Sequence, residues 1–362
     1  MIGFIQLLYK KLGEKKNVNK TEFKTFLISV PKTELHIHLE AVISLSGIKK
    51  LYKNKYKKEM SKAEQDYLFS YEDLNGFIRA FLTVQSLYSS VEDFNLVFDE
   101  LSKYLIKNGI TYTEVFFAPS AFLKQGFKYE EMIAIFHKKI NEIRENHNIT
   151  IKLIMDVSRT FGCENAMANY NLLKKYPCED IIGIGLGGAE AKGPARDFAP
   201  VYDKAIKDGF HVVAHAGEDV GPESIWDSLN YLHVERIGHG VTAIRDEDLM
   251  DEFVKTQIPI EICITSNTFT KKVVKRAKDH PVRAFYDKGI MVNINTDDPV
   301  FFKTTLINEL WICYKSLHFT MEEIRQLLKN SFISSFMPEE EKEKAIRSID
   351  EVWDNNIGQL PL

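Results

Sequence analysis

Cysteine is scarce in this chain: four residues in 362, Cys163, Cys178, Cys263 and Cys313, widely spaced and without a Cys-x-x-Cys pair. Neither a disulfide framework nor a thiolate zinc site is expected from them. Long apolar runs are missing too, since no stretch approaches the roughly 18 residues of a membrane span. The run from Ile2 to Tyr9 is apolar but short. It has no basic residue ahead of it and no small-residue cleavage site after it, so it reads as a helical extension, not a signal peptide. An excess of one charge is lacking as well: the net charge is −4 and the isoelectric point near 6.2. That removes the electrostatic footprint of a nucleic-acid binder and favours a small soluble partner in the cytoplasm. No linker rich in Gly, Pro or Ser divides the chain, and no repeat has a fixed period.

What is present is alternation. Strand-like apolar runs fall at 34–39, 111–118, 149–156, 181–186, 210–215, 234–238, 259–263 and 289–295, separated by helical stretches such as 129–145, 198–208, 222–232 and 246–256. Eight β-then-α units predict parallel strands closed into a (β/α)8 TIM barrel. One domain over 31–350 is expected, with an N-terminal helical extension at 1–30, a helical insert at 41–108 after strand one, and a C-terminal tail at 351–362. Within the insert, Leu74, Phe77, Phe81 and Val84 recur at helical spacing and predict a buried stripe. The lysine-rich stretch from Lys49 to Lys58 reads as a solvated face.

The stretch Thr33-Glu34-Leu35-His36-Ile37-His38-Leu39-Glu40 alternates polar and apolar residues. Side chains two apart on a strand share a face about 6.6 Å from each other, so His36 and His38 can chelate one ion. Alone, this segment is better explained by an ordinary amphipathic strand. The remaining unusual residues, however, fall at the C-terminal ends of the other strands, where barrel enzymes carry their chemistry. Glu114 is on strand two, Asp156 on three, Gly187 and Gly188 after four, His215 on five, His239 after six, Ser266 and Asn267 after seven, and Asp297 and Asp298 after eight. Three imidazoles, His36, His38 and His215, with the carboxylate of Asp297 suit one Zn2+ with room for water. Strand four offers no lysine or acid to bridge a second metal. Glu218, three residues past His215, is placed as a proton donor, and His239 to take a proton from the attacking water or to orient it.

The segments TELHIHLE, HAGEDVGPESIWDSL, ERIGHG, TSN and NTDDPVFFKTTL together resemble the adenosine deaminase family from about Pro31 to Phe332. The resemblance implies hydrolytic deamination at C6 of a 6-aminopurine nucleoside. Zinc activates a water for attack on C6, Glu218 protonates N1, His239 activates the nucleophile, Asp298 hydrogen-bonds N7, and the N–H of Gly188 donates to N3. The His-x-Glu and Pro-Cys-x-x-Cys signature of the other zinc deaminase class is absent. Four departures bear on the substrate: Glu40-Ala41 in place of Asp-Gly, Phe116 in place of arginine, Gly185-Leu186-Gly187-Gly188-Ala189-Glu190 in place of an aspartate-rich loop, and Ile264 in place of proline. Glu40 is expected to face the sugar's 5′ end. Adenosine is the plainest substrate, with 5′-modified adenosines such as aminodeoxyfutalosine, or adenine itself, as alternatives. Another metal-dependent hydrolase and a non-catalytic relative are the remaining classes.

Overall fold

The computed structural model describes residues 18–270 and 273–361. Its eight strands are β1 (Lys32–His38), β2 (Ile110–Phe117), β3 (Thr150–Asp156), β4 (Ile181–Gly185), β5 (His211–Ala216), β6 (Arg236–His239), β7 (Ile260–Ile262) and β8 (Val292–Ile294). They pair in chain order, each neighbour parallel. A bridge between Ile37 and Asp297 brings the far edge back to β1, so the expected (β/α)8 barrel is the fold. All seven residues of β1 are buried, because one face fills the barrel interior and the other packs under helices. Those helices are amphipathic. The helix Tyr129–His147 buries Met132, Ile133, Phe136, Ile140 and Ile143 at three- and four-residue spacing, and ends on Asn148 in the left-handed conformation.

Closure of β8 on β1 relies on side chains as much as on the backbone ladder. Asn295 Oδ1 accepts from the N–H groups of Leu35 and His36 at 2.8 and 3.1 Å. Glu34 Oε1 accepts from both the N–H and the hydroxyl of Thr296 at 2.9 and 2.6 Å. Asp297 then donates its N–H to His36 O and accepts from His38 N. The first metal-site candidates on β1 and the last one after β8 are thereby locked in register.

Between β1 and β2 lie the helices Leu45–Tyr56, Lys62–Leu68, Leu74–Gln85 and Asp93–Asn108. The third of these buries Leu74, Phe77 and Val84, while Phe81 is only partly buried. The run from Ile2 to Tyr9 lies outside the described residues. The helix Lys20–Ser29 is described, with an Asn19–Glu22 capping box. Phe26 on it meets Trp353 edge-on at 4.8 Å between ring centres. The boundary expected at residue 350 falls inside the helix Glu339–Asn356, and Trp353 is fully buried, so this last helix packs with the barrel instead of trailing from it.

Asn295→Leu removes the acceptor of two buried main-chain donors, and we expect a loss of about 2–5 kcal/mol in urea unfolding. A loss under about 0.5 kcal/mol would show that the side chain does not hold the seam.

Candidate active site

β1 delivers His36 and His38 to the barrel's C-terminal end, β5 delivers His215, and Asp297 arrives from the turn after β8. His36 Nε2 and His38 Nε2 lie 3.3 and 3.2 Å from the same oxygen, Asp297 Oδ1. His38 Nε2 and His215 Nε2 are 3.2 Å apart. Ligand atoms 2.0–2.1 Å from a tetrahedral zinc lie about 3.3 Å from one another, so these separations fit a shared ion. His36 Nε2 is buried and makes no well-formed hydrogen bond, which also fits a ligand position. The opposite nitrogen of His36, Nδ1, is 2.8 Å from Glu261 Oε2, an arrangement that aims Nε2 at the centre. Burial and the neighbouring imidazoles hold the pKa of His215 well below its ordinary value, and so in the neutral form that binds a metal.

Around this centre stand the other expected residues. Glu218 Oε2 is 3.6 Å from His239 Nε2, and His239 Nε2 is 4.0 Å from Asp297 Oδ2. Burial, then the charges of Asp297 and Glu190, push the Glu218 carboxyl well above the usual range, toward its protonated form. Burial is also the main cause of a His239 pKa near 3. Asp298 lines the same cavity with its Oδ1 buried and unpartnered, and burial, then the charge of Asp297, pushes its carboxyl well above the usual range, toward the protonated form that can donate to a ligand. Gly188 has φ +93°, and a Cβ there would sit 2.6 Å from Thr160 Oγ1, so only glycine fits this wall. Both His239 and Asp297 also have positive φ, 64° and 66°. Such conformations in non-glycine residues collect at functional sites.

The cavity and its open mouth together hold about 660 Å³ of atom-free space. Its outer wall is apolar, built from Leu74, Phe77, Ile78, Phe81 and Leu82 with Phe161 opposite. The helical stripe read from the sequence thus forms a pocket wall as well as core.

Three expectations shift in depth. Glu114 is not on the rim: it lies a layer lower, paired with Arg236 at 2.6 Å and accepting from the N–H of Phe336. Phe116 is not a wall of the cavity but packs beneath it, its ring centre 5.0 to 5.4 Å from those of His36, His38 and His215. Glu40 stands behind the cavity surface, its Oε1 accepting from Ala118 N and Gln85 Nε2 at 2.9 and 3.1 Å. Gln85 and Ala118, not Glu40, line the space.

Sequence reasoning gave no role to three further groups. Arg236 on β6 binds both Glu114 and Glu261, each at 2.6 Å, and Glu261 in turn holds His36. Glu190 gathers the N–H groups of Gly217, Glu218, Asp219 and Val220 at 2.6 to 3.2 Å, and the Ser224 hydroxyl at 2.5 Å. Its position at the end of the strand-four loop, in place of the family's own acid, was the available signal.

The adenosine deaminase family model matches residues 31–352. The chain belongs to the adenosine deaminase family. As a member it is a hydrolytic deaminase of the amidohydrolase type, acting on a C–N bond. An aminodeoxyfutalosine deaminase of Streptomyces avermitilis is 30% identical over 334 residues, 91% of this chain and 93% of that protein. An adenine deaminase of Crocosphaera subtropica is 32% identical, covering 89% and 98%. Among solved structures, the adenine deaminase of Arthrobacter aurescens superposes with a TM-score of 0.85 at 26% identity, covering 90% and 99%. A zinc-bound amidohydrolase from Burkholderia ambifaria shares the fold at a TM-score of 0.86 and 20% identity. Among the described residues no helix is long and apolar enough to cross a membrane.

Glu190→Ala removes the common acceptor of the 217–220 turn. We expect those amides to exchange with solvent at least tenfold faster and kcat to fall by about 10- to 100-fold, the scale of a misplaced catalytic group. Unchanged exchange would show that Glu190 does not hold the turn.

Proposed function

We propose that this family member removes the C6 amino group of a 6-aminopurine nucleoside by zinc-dependent hydrolysis, adenosine being the plainest case. The observation that carries it is the meeting, at one end of the barrel, of three imidazoles and a carboxylate with successive separations of 3.2–3.3 Å, beside the buried carboxyls of Glu218 and of Asp298, whose Oδ1 is unpartnered. His36, His38, His215 and Asp297 would hold one zinc ion. Bound there, zinc supplies Lewis-acid activation of water at neutral pH.

The chain's own residues do the rest. Attack at C6 drives an electron pair onto N1 of the ring, and Glu218, protonated by its burial, delivers a proton there. The interaction strengthens as charge develops, which makes it a transition-state contact. Water's oxygen stays on C6. Of its two hydrogens, one leaves with the departing ammonia and the other replaces the proton that Glu218 gave to N1. Asp298 holds the purine at N7 and the main-chain N–H of Gly188 holds it at N3, while the wall from Leu74 to Leu82 excludes bulk water.

A second reading has its own support. Relatives named adenine deaminase and aminodeoxyfutalosine deaminase match at the same level of identity. Purified protein assayed for ammonia release against adenosine, 2′-deoxyadenosine, 5′-extended adenosines and adenine separates them. We expect a nucleoside to lead, and adenine outpacing every nucleoside would replace that reading. No turnover of any of them by zinc-loaded protein would end it.

Glu218→Gln should keep zinc content and ground-state ligand affinity while kcat falls by about 10² to 10⁴. Near-normal kcat would remove Glu218 from the mechanism. Elemental analysis should find one zinc per chain, lost together with turnover in Asp297→Ala. Two metals per chain at this centre would contradict the four-ligand assignment.

A further inference from the structure

Behind His239 runs a chain of hydrogen bonds whose direction is fixed at its far end. The main-chain N–H of Val282 points at His280 Nδ1 from 3.1 Å. A peptide N–H can only donate, so Nδ1 is the acceptor, and a neutral His280 carries its proton on Nε2. Burial keeps His280 neutral, with a pKa near 3. His280 Nε2 is 3.1 Å from Asn267 Oδ1, which accepts that proton's hydrogen bond. The other end of the same amide, Nδ2, is 3.0 Å from His239 Nδ1, and an amide nitrogen can only donate. His239, Asn267 and His280 are 1%, 2% and 3% exposed, so solvent has no access to reverse the order.

We infer that His239 rests as the Nε2–H tautomer, fixed through Asn267 and His280, and presents a hydrogen, not a lone pair, to the centre of the site. On the Nε2 side stands the carboxylate oxygen Asp297 Oδ2, 4.0 Å away, which can only accept. Of the two roles open to His239, orienting the attacking oxygen is therefore selected over taking its proton. Asn267 and His280 are positioning residues, acting through His239. The role of the N–H rests on the deamination reading, whereas the tautomer is a property of the resting protein.

Neutron diffraction on deuterated, zinc-loaded protein tests the tautomer directly. Deuterium is expected on Nε2 of His239 and His280 and on neither Nδ1; density on His239 Nδ1 would overturn the inference. Asn267→Asp tests the consequence, because a carboxylate of the same shape only accepts and so draws a proton to His239 Nδ1. Holding a catalytic histidine in the wrong tautomer costs up to ~10⁴ in kcat. We expect kcat to fall by at least ~10² with KM within about threefold and zinc content unchanged, and kcat within twofold of the parent would refute the assigned role. Should that variant not fold, His280→Phe, which frees the Asn267 amide to turn over, should yield a mixture of His239 tautomers in ¹⁵N NMR; a single unchanged Nε2–H form would remove His280 from the chain. If no aminopurine is deaminated at all, the deamination reading fails while the neutron result still decides the tautomer.

Discussion

Asp297 carries two loads at once. Its backbone, at φ +66°, exchanges hydrogen bonds with His36 and His38 and so closes β8 on β1. Its carboxylate faces both of those imidazoles from 3.2–3.3 Å through Oδ1 and accepts the Ser266 hydroxyl at 2.7 Å through Oδ2. Aspartate is among the few residues that tolerate the left-handed region, because its short polar side chain makes local hydrogen bonds. The barrel seam and the metal-site candidates therefore depend on the same residue, and strain at the one is opposed by the bonding of the other.

Beneath that centre the barrel interior is charged, not oily. Arg236, Glu114 and Glu261 are all fully buried, and they offset each other's desolvation only as a set. Breaking such a set by deleting one partner leaves an uncompensated charge at a cost of about 3–5 kcal/mol. The layer is consequently stiff, and its stiffness reaches the site through the bond from Glu261 to His36. Phe336 closes it from below, its ring stacked on His211 at 3.8 Å and covered by the Arg236 guanidinium at 3.8 Å. The site is thus preorganised by groups that never meet the cavity.

Strand parity made the fold and the metal-site candidates legible. Alternation over 34–39 put His36 and His38 on one face, and the recurrence of apolar runs counted eight strands. Parity tells which way a side chain points but not how deep it lies. Tyr112, Glu114 and Phe116 share the inward face of β2, and only the register against β1, which sets Phe116 beside His38, shows how deep each lies relative to the histidines. Partners joined through space change no periodicity: Arg236 with Glu114 and His280 with Asn267 leave no local trace, and Glu190 with the 217–220 turn leaves only its place in the strand-four loop. What defined them was the burial of polar atoms that had to be satisfied.

Glu40 shows how such a hidden contact changes an argument about specificity. Read as a rim residue, it would act on a substrate directly, through one extra methylene compared with aspartate. In the fold, one of its oxygens bridges Ala118 at the end of β2 to Gln85 on the helix Leu74–Gln85, while the other is buried without a partner. A side chain one methylene shorter reaches less far toward these two partners. The longer acid is then a strut that sets how closely the helix approaches the barrel mouth, and that helix carries Phe77, Ile78 and Phe81 into the cavity. Glu40 therefore bears on the apolar wall of the cavity from behind and does not face the cavity itself.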